Sequence, residues 1–318
     1  MDKIGKYDVV REIGQGASST VYLGHDPFAQ RDVAIKVVFP QILKDPERGK
    51  LYTHLFLNEA SLVGKLNHPH IVQIFDAVVA DSLCYIVMEY VPGGTLEMFC
   101  GEKKLLPVER VVEIIFKCTR ALDFAYRLGI THRDIKPANI LIVGTDASSG
   151  DIKISDFGAA ITGGVDHTQV SGIGSPAYMS PQQVKEQTLD HRTDIYSLGV
   201  VMYQMLTGQL PYVLQVTQVR GPGDLHKLRY ESVRTQRREL PAWLDSVLRQ
   251  ALQPQPNKRH EALSAFVHDL QHPAAQHLGD QQAPWIERDP VRFWRGLALV
   301  LGLVIVALVA RLAGVLQP

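Results

Sequence analysis

Residues 7–38 alternate apolar and polar positions, and glycines or short polar turns interrupt the alternation. Three runs, "YDVVREIGQG", "STVYLGHD" and "DVAIKVV", therefore read as consecutive antiparallel strands, since successive strand side chains face opposite sides of a sheet. "YTHLFLNEASLVGKL" then sets Leu55, Leu62, Val63 and Leu66 at helical spacing, and "IVQIFDAVVA" and "LCYIVMEYV" return to strand character. From about residue 95 the pattern changes to long amphipathic segments. "PVERVVEIIFKCTRALDFAYRLG" predicts a helix opened by proline, whose missing N–H is no loss in a first turn, and stopped at Gly129. "TDIYSLGVVMYQMLTG" predicts a very apolar helix ending at Gly208, and "PAWLDSVLRQAL" and "HEALSAFVHDLQ" predict two more. The expected fold class is α+β: a small antiparallel-sheet lobe over about 7–91, "VPGGT" (91–95) as the joint, and a larger helical lobe over about 95–271. No internal repeat is present.

The pattern changes again after residue 271. "HPAAQHLGDQQAPWIERDP" (272–290) is rich in Pro, Gln and Ala and reads as a linker, which extends to Arg295. Gly296 to Ala310 contains only Gly, Ala, Val, Leu and Ile, and the apolar segment runs on through Arg311 to Leu316, close to the ~20 residues that span a bilayer. Arg311 can snorkel to the far interface, while Phe293 and Trp294 mark the near one. Arg288, Arg292 and Arg295 precede the span, so the positive-inside rule puts the N-terminal bulk in the cytoplasm. Only Gln317 and Pro318 follow, so the expectation is a tail-anchored chain without an outer sensor domain. The competing readings are a buried core helix and an interfacial helix; the second lacks a polar face.

Composition excludes more than it selects. With 33 Lys plus Arg against 33 Asp plus Glu, no overall basic field points to nucleic acid. The one basic run, "HKLRYESVRTQRREL", reads as a solvated face. Cys84, Cys100 and Cys118 lack metal-ligand spacing and read as reduced, buried thiols. The N-terminus has no apolar h-region and is no signal peptide.

Chemistry concentrates in a few stretches. In "ITHRDIKPANILI", Asp134 stands between Arg133 and Lys136, with Asn139 five residues on. "IGQGASSTVY" holds Gly14, Gly16 and Ser19 at G-x-G-x-x-S spacing, followed by Val21; a glycine turn lets backbone N–H groups approach phosphate oxygens. By itself such a turn is equally a plain hairpin. Lys36 ends the apolar strand "VAIK", where a cation needs a partner, and Glu59 on the next helix is a candidate; a surface ion pair is the bland alternative. "ISDFG" adds Asp156, Phe157 and Gly158.

Taken in order, the glycine loop, VAIK, helix Glu, HRD…N, DFG and a variant of APE resemble the protein kinase superfamily over residues 7–271. The compact helical part resembles bacterial eukaryotic-type (Hanks-type) Ser/Thr kinases in particular. The resemblance implies a bilobal kinase fold and ATP- and Mg²⁺-dependent transfer of the γ-phosphoryl group to Ser or Thr hydroxyls of protein substrates. It implies that Asp134 accepts or orients the acceptor proton, that Lys136 approaches the γ-phosphate, and that Lys36, positioned by Glu59, grips the α/β-phosphates. Asn139 and Asp156 are then the Mg²⁺ ligands. Ile13, Gly14, Gly16 and Ser19 belong to the phosphate loop. Val21, Ala34 and Leu141 sandwich the adenine, Glu89 and Val91 offer backbone hydrogen bonds, and Met88 lies behind. Without the resemblance these apolar residues read as plain core. Val63, Ile74, His132 and Phe157 are expected to form an apolar column between the lobes.

Lys136 and "GSPAYMSP" follow the Ser/Thr pattern. Thr168 and Ser171, then Ser175, are the candidate autophosphorylation sites, with Arg133 as the cation that pairs with the phosphate. The resemblance departs at two places. Ser19 replaces the third loop glycine. Gln182 replaces the usual Glu of APE, leaving Arg259 a neutral partner. Asp194 matches the acid that anchors the catalytic-loop backbone. Self-association through the span, or a membrane-bound partner, is expected to raise the local kinase concentration and promote autophosphorylation. The rival is a catalytically weak or dead kinase fold serving as a membrane scaffold; the complete set Lys36, Glu59, Asp134, Asn139 and Asp156 argues against it.

Overall fold

The computed structural model describes residues 2–16, 18–44, 53, 56–57, 60–62, 64–80, 83–144, 150–157, 161–162, 175–185, 189–212 and 228–272. The first lobe is a six-stranded antiparallel sheet built from β1 (Lys3–Ile4), β2 (Tyr7–Gln15), β3 (Ser19–Asp26), β4 (Arg31–Val38), β5 (Ile74–Ala80) and β6 (Leu83–Glu89), in the order β1-β2-β3-β4-β6-β5. The register of β2 on β3 slips at Val9/Arg11 and again at Glu12/Gly14; such bulges bend a strand and increase its twist. Strand β6 sorts its side chains by the period of two. Tyr85 and Val87 join Ile4, Tyr7, Val33 and Ile35 on one face, while Cys84 and Ile86 join Val38 and Phe56 on the other. Both faces are thus covered, which explains why the run "LCYIVM" is apolar without alternation. The short helix α1 (Pro40–Leu43) follows β4, and described residues 53, 56–57 and 60–62 are helical, with Phe56 and Leu62 buried.

The helical lobe packs α2 (Val108–Arg127), α3 (Pro181–Val184), α4 (Arg192–Thr207), α5 (Val233–Gln236), α6 (Ala242–Ala251) and α7 (Leu263–Gln271) around one apolar core. Helix α4 is buried at every position but Arg192 and Gln204, as the apolar run through its middle requires. Helices α2 and α4 both end where glycine takes a left-handed conformation, at Gly129 (φ 78°) and Gly208 (φ 75°). Two small two-stranded antiparallel sheets complete the lobe: β7 (Ile130–Thr131) with β10 (Ile161–Thr162), and β8 (Ile140–Val143) with β9 (Asp151–Ile154).

The joint between the lobes is held by backbone. Ile142 N–H donates to Gly94 O at 2.9 Å and Gly144 N–H to Pro92 O at 2.7 Å. Gly93 has φ 147°, and a Cβ there would overlap the carbonyl oxygens of Ile142 and Gly144, so the chain needs glycine at this approach. All three cysteines are free and buried; burial pushes the Cys100 and Cys118 thiols up to about 12. Among the described residues no helix is long and apolar enough to cross a membrane; the segment 296–316 lies outside them.

Candidate active site

The turn after β7 brings the chemistry of "HRDIKPAN" to the mouth of the helical lobe. Its backbone is unusual: Arg133 has φ 71°, in the left-handed region that residues with a Cβ rarely adopt. Asp194, at the start of α4, accounts for it. Its two carboxylate oxygens accept from the N–H groups of His132 (2.9 Å) and Arg133 (2.8 Å). Asp194 is buried, and burial pushes its carboxyl up despite these bonds.

Asp134 accepts three hydrogen bonds and keeps one lone pair of Oδ1 open. Its Oδ2 accepts from Lys136 Nζ at 2.8 Å and from Asn139 Nδ2 at 3.2 Å, and its Oδ1 accepts from Ser175 N–H at 3.0 Å. Asn139 Nδ2 also donates to the Asp134 carbonyl, so its amide orientation is settled and its Oδ1 is turned away from Asp134. Ser155 links this loop to Asp156: its N–H and Oγ both donate to Asn139 O.

Asp156 follows β9 with φ 62°, a second left-handed non-glycine residue. Lys36 Nζ, reaching from β4 in the sheet lobe, donates to Asp156 Oδ1 at 2.8 Å. The Lys36 cation is the main cause that holds the Asp156 carboxyl well below the usual carboxylate range. Phe157 turns the other way, buried, with its ring 4.4 Å from that of His132. Phe157, Asp156, Ile74 and Met88 line one small cavity between the lobes. Three of the four residues of the expected apolar column are therefore near this junction; the fourth, Val63, lies outside the described residues.

The expected nucleotide residues surround the same cleft. Val21 and Ala34 lie on β3 and β4, and Ala34 is paired with Met88 of β6. Leu141, on β8, bridges to Thr95, the last residue of the joint. Glu89 N–H donates to Gln73 O at 2.8 Å, so of its backbone groups only the carbonyl can meet a ligand; its carboxylate is taken by Lys153 at 3.0 Å. Val91 follows it into the joint, half-buried. Ile13 and Gly14 lie just before the end of β2 at Gln15, and Gly16 N–H closes the loop on Ser19 O at 2.8 Å. Ser19 is buried as the first residue of β3, opposite Val38, rather than at the crest of the loop.

A divalent cation fits what is present. Asn139 Oδ1 and the ionised Asp156 are hard oxygen donors tethered through Ser155. No group of three or more His, Cys, Asp or Glu able to hold a metal occurs among the described residues, so such an ion would take its remaining ligands from nucleotide phosphates or water.

Glu59, Gly158, Thr168 and Ser171 lie outside the described residues. The motif reading overlooked Gln183, whose side chain bonds the Arg133 carbonyl. Its signal was legible as Ser180-x-x-Gln183, the capping-box spacing at the start of a helix.

The comparisons with known proteins agree with this arrangement. The family described as protein kinase domain matches residues 7–271. The serine/threonine-protein kinase PknB of Mycobacterium leprae is 36% identical over 279 residues, covering 83% of this chain and 42% of that protein. PknB of Mycobacterium tuberculosis H37Rv is likewise 36% identical over 279 residues, with the same coverage. A probable serine/threonine-protein kinase of Streptomyces coelicolor is 34% identical over 283 residues, covering 84% of this chain and 40% of that protein. The chain thus spans about two fifths of the length of these curated relatives. With the motif order, the geometry of the cleft and the family match in agreement, the chain belongs to the protein kinase domain family.

Proposed function

We propose that this chain is a serine/threonine protein kinase that transfers the γ-phosphoryl group of ATP, with Mg²⁺, to protein hydroxyls. The observation that carries the reading is the 2.8 Å pair between Lys36 of the sheet lobe and Asp156 of the helical lobe. It joins a phosphate-binding cation and an oxygen ligand for a metal in the cleft that also holds Asp134. Bound Mg²⁺ would neutralise charge on the phosphates, with Asn139 and Asp156 as its protein ligands. Lys36 holds the α/β-phosphates, and Glu59 positions Lys36. Ile13, Gly14, Gly16 and Ser19 shape the phosphate loop, Val21, Ala34 and Leu141 enclose adenine, and Glu89 C=O and Val91 N–H meet its edge.

Asp134 Oδ1 has one lone pair taken by Ser175 N–H and a second for the acceptor hydroxyl, whose proton it orients and receives. Lys136, held on Oδ2, moves no proton; its charge faces the phosphoryl being transferred. Little covalent work is asked of the protein, only in-line placement and fixed charge. Autophosphorylation at Thr168, Ser171 or Ser175 is part of the proposal. Among the described residues, Nε and Nη1 of the buried Arg133 have no hydrogen-bond partner, which suits a cation awaiting a phosphate. So are the linker 272–295, the transmembrane helix 296–316 with the kinase domain cytoplasmic, and self-association through that helix.

The test is incubation of the full chain with labelled ATP and Mg²⁺ beside Asp134→Asn. Label on Thr168 or Ser171 that disappears in the variant is the expected result. Silence of the wild type in detergent and in membranes would return the scaffold reading. Equal loop labelling in a chain ending before residue 296, at matched low concentration, would count against activation through the span.

A further inference from the structure

Two consecutive glutamines leave α3 in opposite directions. Gln182 faces Arg259 in the helical lobe, and Gln183 faces the catalytic loop. The Gln183 Nε2 donates to the Arg133 carbonyl at 2.6 Å, and its Oε1 accepts from Ser180 N–H at 2.9 Å. A carbonyl only accepts and a peptide N–H only donates, so these partners settle which end of the amide is which. The side chain is buried, where no water competes for either bond.

What Gln183 grips is the strained residue. Arg133 sits at φ 71°, a conformation disfavoured by its own Cβ. It persists because both of its backbone polar groups are held by side chains distant in sequence. Asp194 takes the N–H, and Gln183 takes the C=O. That carbonyl belongs to the peptide unit leading into Asp134. If the unit rotates, the Asp134 carboxylate swings with it.

We propose that Gln183 is a positioning residue for phosphoryl transfer: by holding the Arg133 carbonyl it sets the direction of Asp134, and it does so only when α3 is seated. The end of the segment that begins at Asp156 is thereby coupled to the catalytic loop through the Gln183 amide, beside the direct bond from Ser175 N–H to Asp134. The proposal rests on the kinase reading of the site. A purely local role, capping α3, uses only Oε1, which accepts from Ser180 N–H and Oγ, and has no need of the bond to Arg133.

Gln183→Glu separates the two roles. It keeps an acceptor for Ser180 N–H but, when ionised, cannot donate and sets a carboxylate against a carbonyl. Gln183→Leu removes both bonds. The full chain in detergent is assayed with labelled ATP, Mg²⁺ and dephosphorylated casein as a generic acceptor, alongside thermal unfolding. At about pH 8, Gln183→Glu is expected to lower kcat by about 10–100-fold with KM for ATP changed by less than about twofold. The deficit relative to wild type should shrink as pH falls, because a buried carboxyl protonates at raised pH and its O–H can donate to the Arg133 carbonyl. Gln183→Leu should lose kcat at every pH.

Wild-type kcat in Gln183→Glu at all pH values, or a loss that only follows the folded fraction, would overturn the proposal. An inactive wild type would overturn the kinase reading instead. The positioning role is then read from amide hydrogen exchange. Faster exchange at His132 and Arg133 in Gln183→Glu supports it, and unchanged exchange overturns it.

Discussion

Gln182 Oε1 accepts a hydrogen bond from Arg259 Nη2 at 2.8 Å, so a neutral amide faces a buried guanidinium where the family pattern has a carboxylate. The other acceptors of Arg259 among the described residues are the carbonyls of Gln253, Arg192 and Pro254, and its guanidinium lies 4.7 Å from the Tyr196 ring. The geometry of an ion pair is kept without its charge. Burial accordingly pushes the Arg259 group down to about 10.

Gln182→Glu should therefore stabilise the helical lobe. A charge-assisted bond replaces a neutral one, partly offset by burying the new carboxylate, for a net gain of about 1 kcal/mol, or about 2–4 °C in Tm. Thermal unfolding of the two proteins decides it, and an unchanged or lower Tm would sink the charge argument.

Asp194 holds two N–H groups of the catalytic loop, and Asp194→Asn can accept only one of them properly. One buried donor is left facing an amide NH₂, at a cost of about 1–3 kcal/mol. The loop should relax from its left-handed turn, and kcat should fall by about 10-fold or more. Stability and phosphoryl transfer measured together test both halves; a variant with wild-type kcat would show that the anchor is not needed for the reaction.

Gly93→Ala should strike the joint between the lobes. Its φ of 147° and the carbonyls of Ile142 and Gly144 leave no room for a Cβ, and relieving the overlap should cost about 1–3 kcal/mol. Because the joint carries the proposed adenine contacts, a raised KM for ATP should accompany the lower Tm. A normal KM with a reduced Tm would separate the joint from nucleotide binding.

His68 gives the protein an acid sensitivity. Its pKa is lowered by burial first, and then by His70 and Arg120. Its Nδ1 also accepts from His70 N–H at 3.2 Å, a bond available only to the unprotonated nitrogen. With the folded value below the ordinary 6.5, the unfolded chain binds the proton more readily. The contribution to stability is complete above 6.5 and is lost as pH falls through the depressed folded value. Urea midpoints for wild type and His68→Gln between about pH 7 and 5 should diverge in slope, the variant being flatter. Parallel curves would exclude His68 as the source.

Much of this molecule is written locally. The period of two in "STVYLGHD" and "DVAIKVV", the proline before Val108 and the glycines at 129 and 208 mark β3, β4, α2 and α4 to within a residue or two. They can do so because strand and helix periodicity and left-handed caps depend on neighbours a few positions away. The ordered motifs brought Asp134, Asn139, Lys36 and Asp156 to notice for the same reason: their spacing is local even where their partners are not. The short strands β8 and β9 escaped notice because four residues, "ILIV" and "DIKI", are too few for alternation to separate strand from loop. What only the packed molecule decided are the long-range meetings. Lys36 reaches Asp156 across 120 residues, Asp194 reaches under His132 and Arg133, and Gln183 reaches back 50 residues to the Arg133 carbonyl. No pattern along the chain dictates those distances. They arise when two lobes close on a common cleft and each buried polar group must find a partner there.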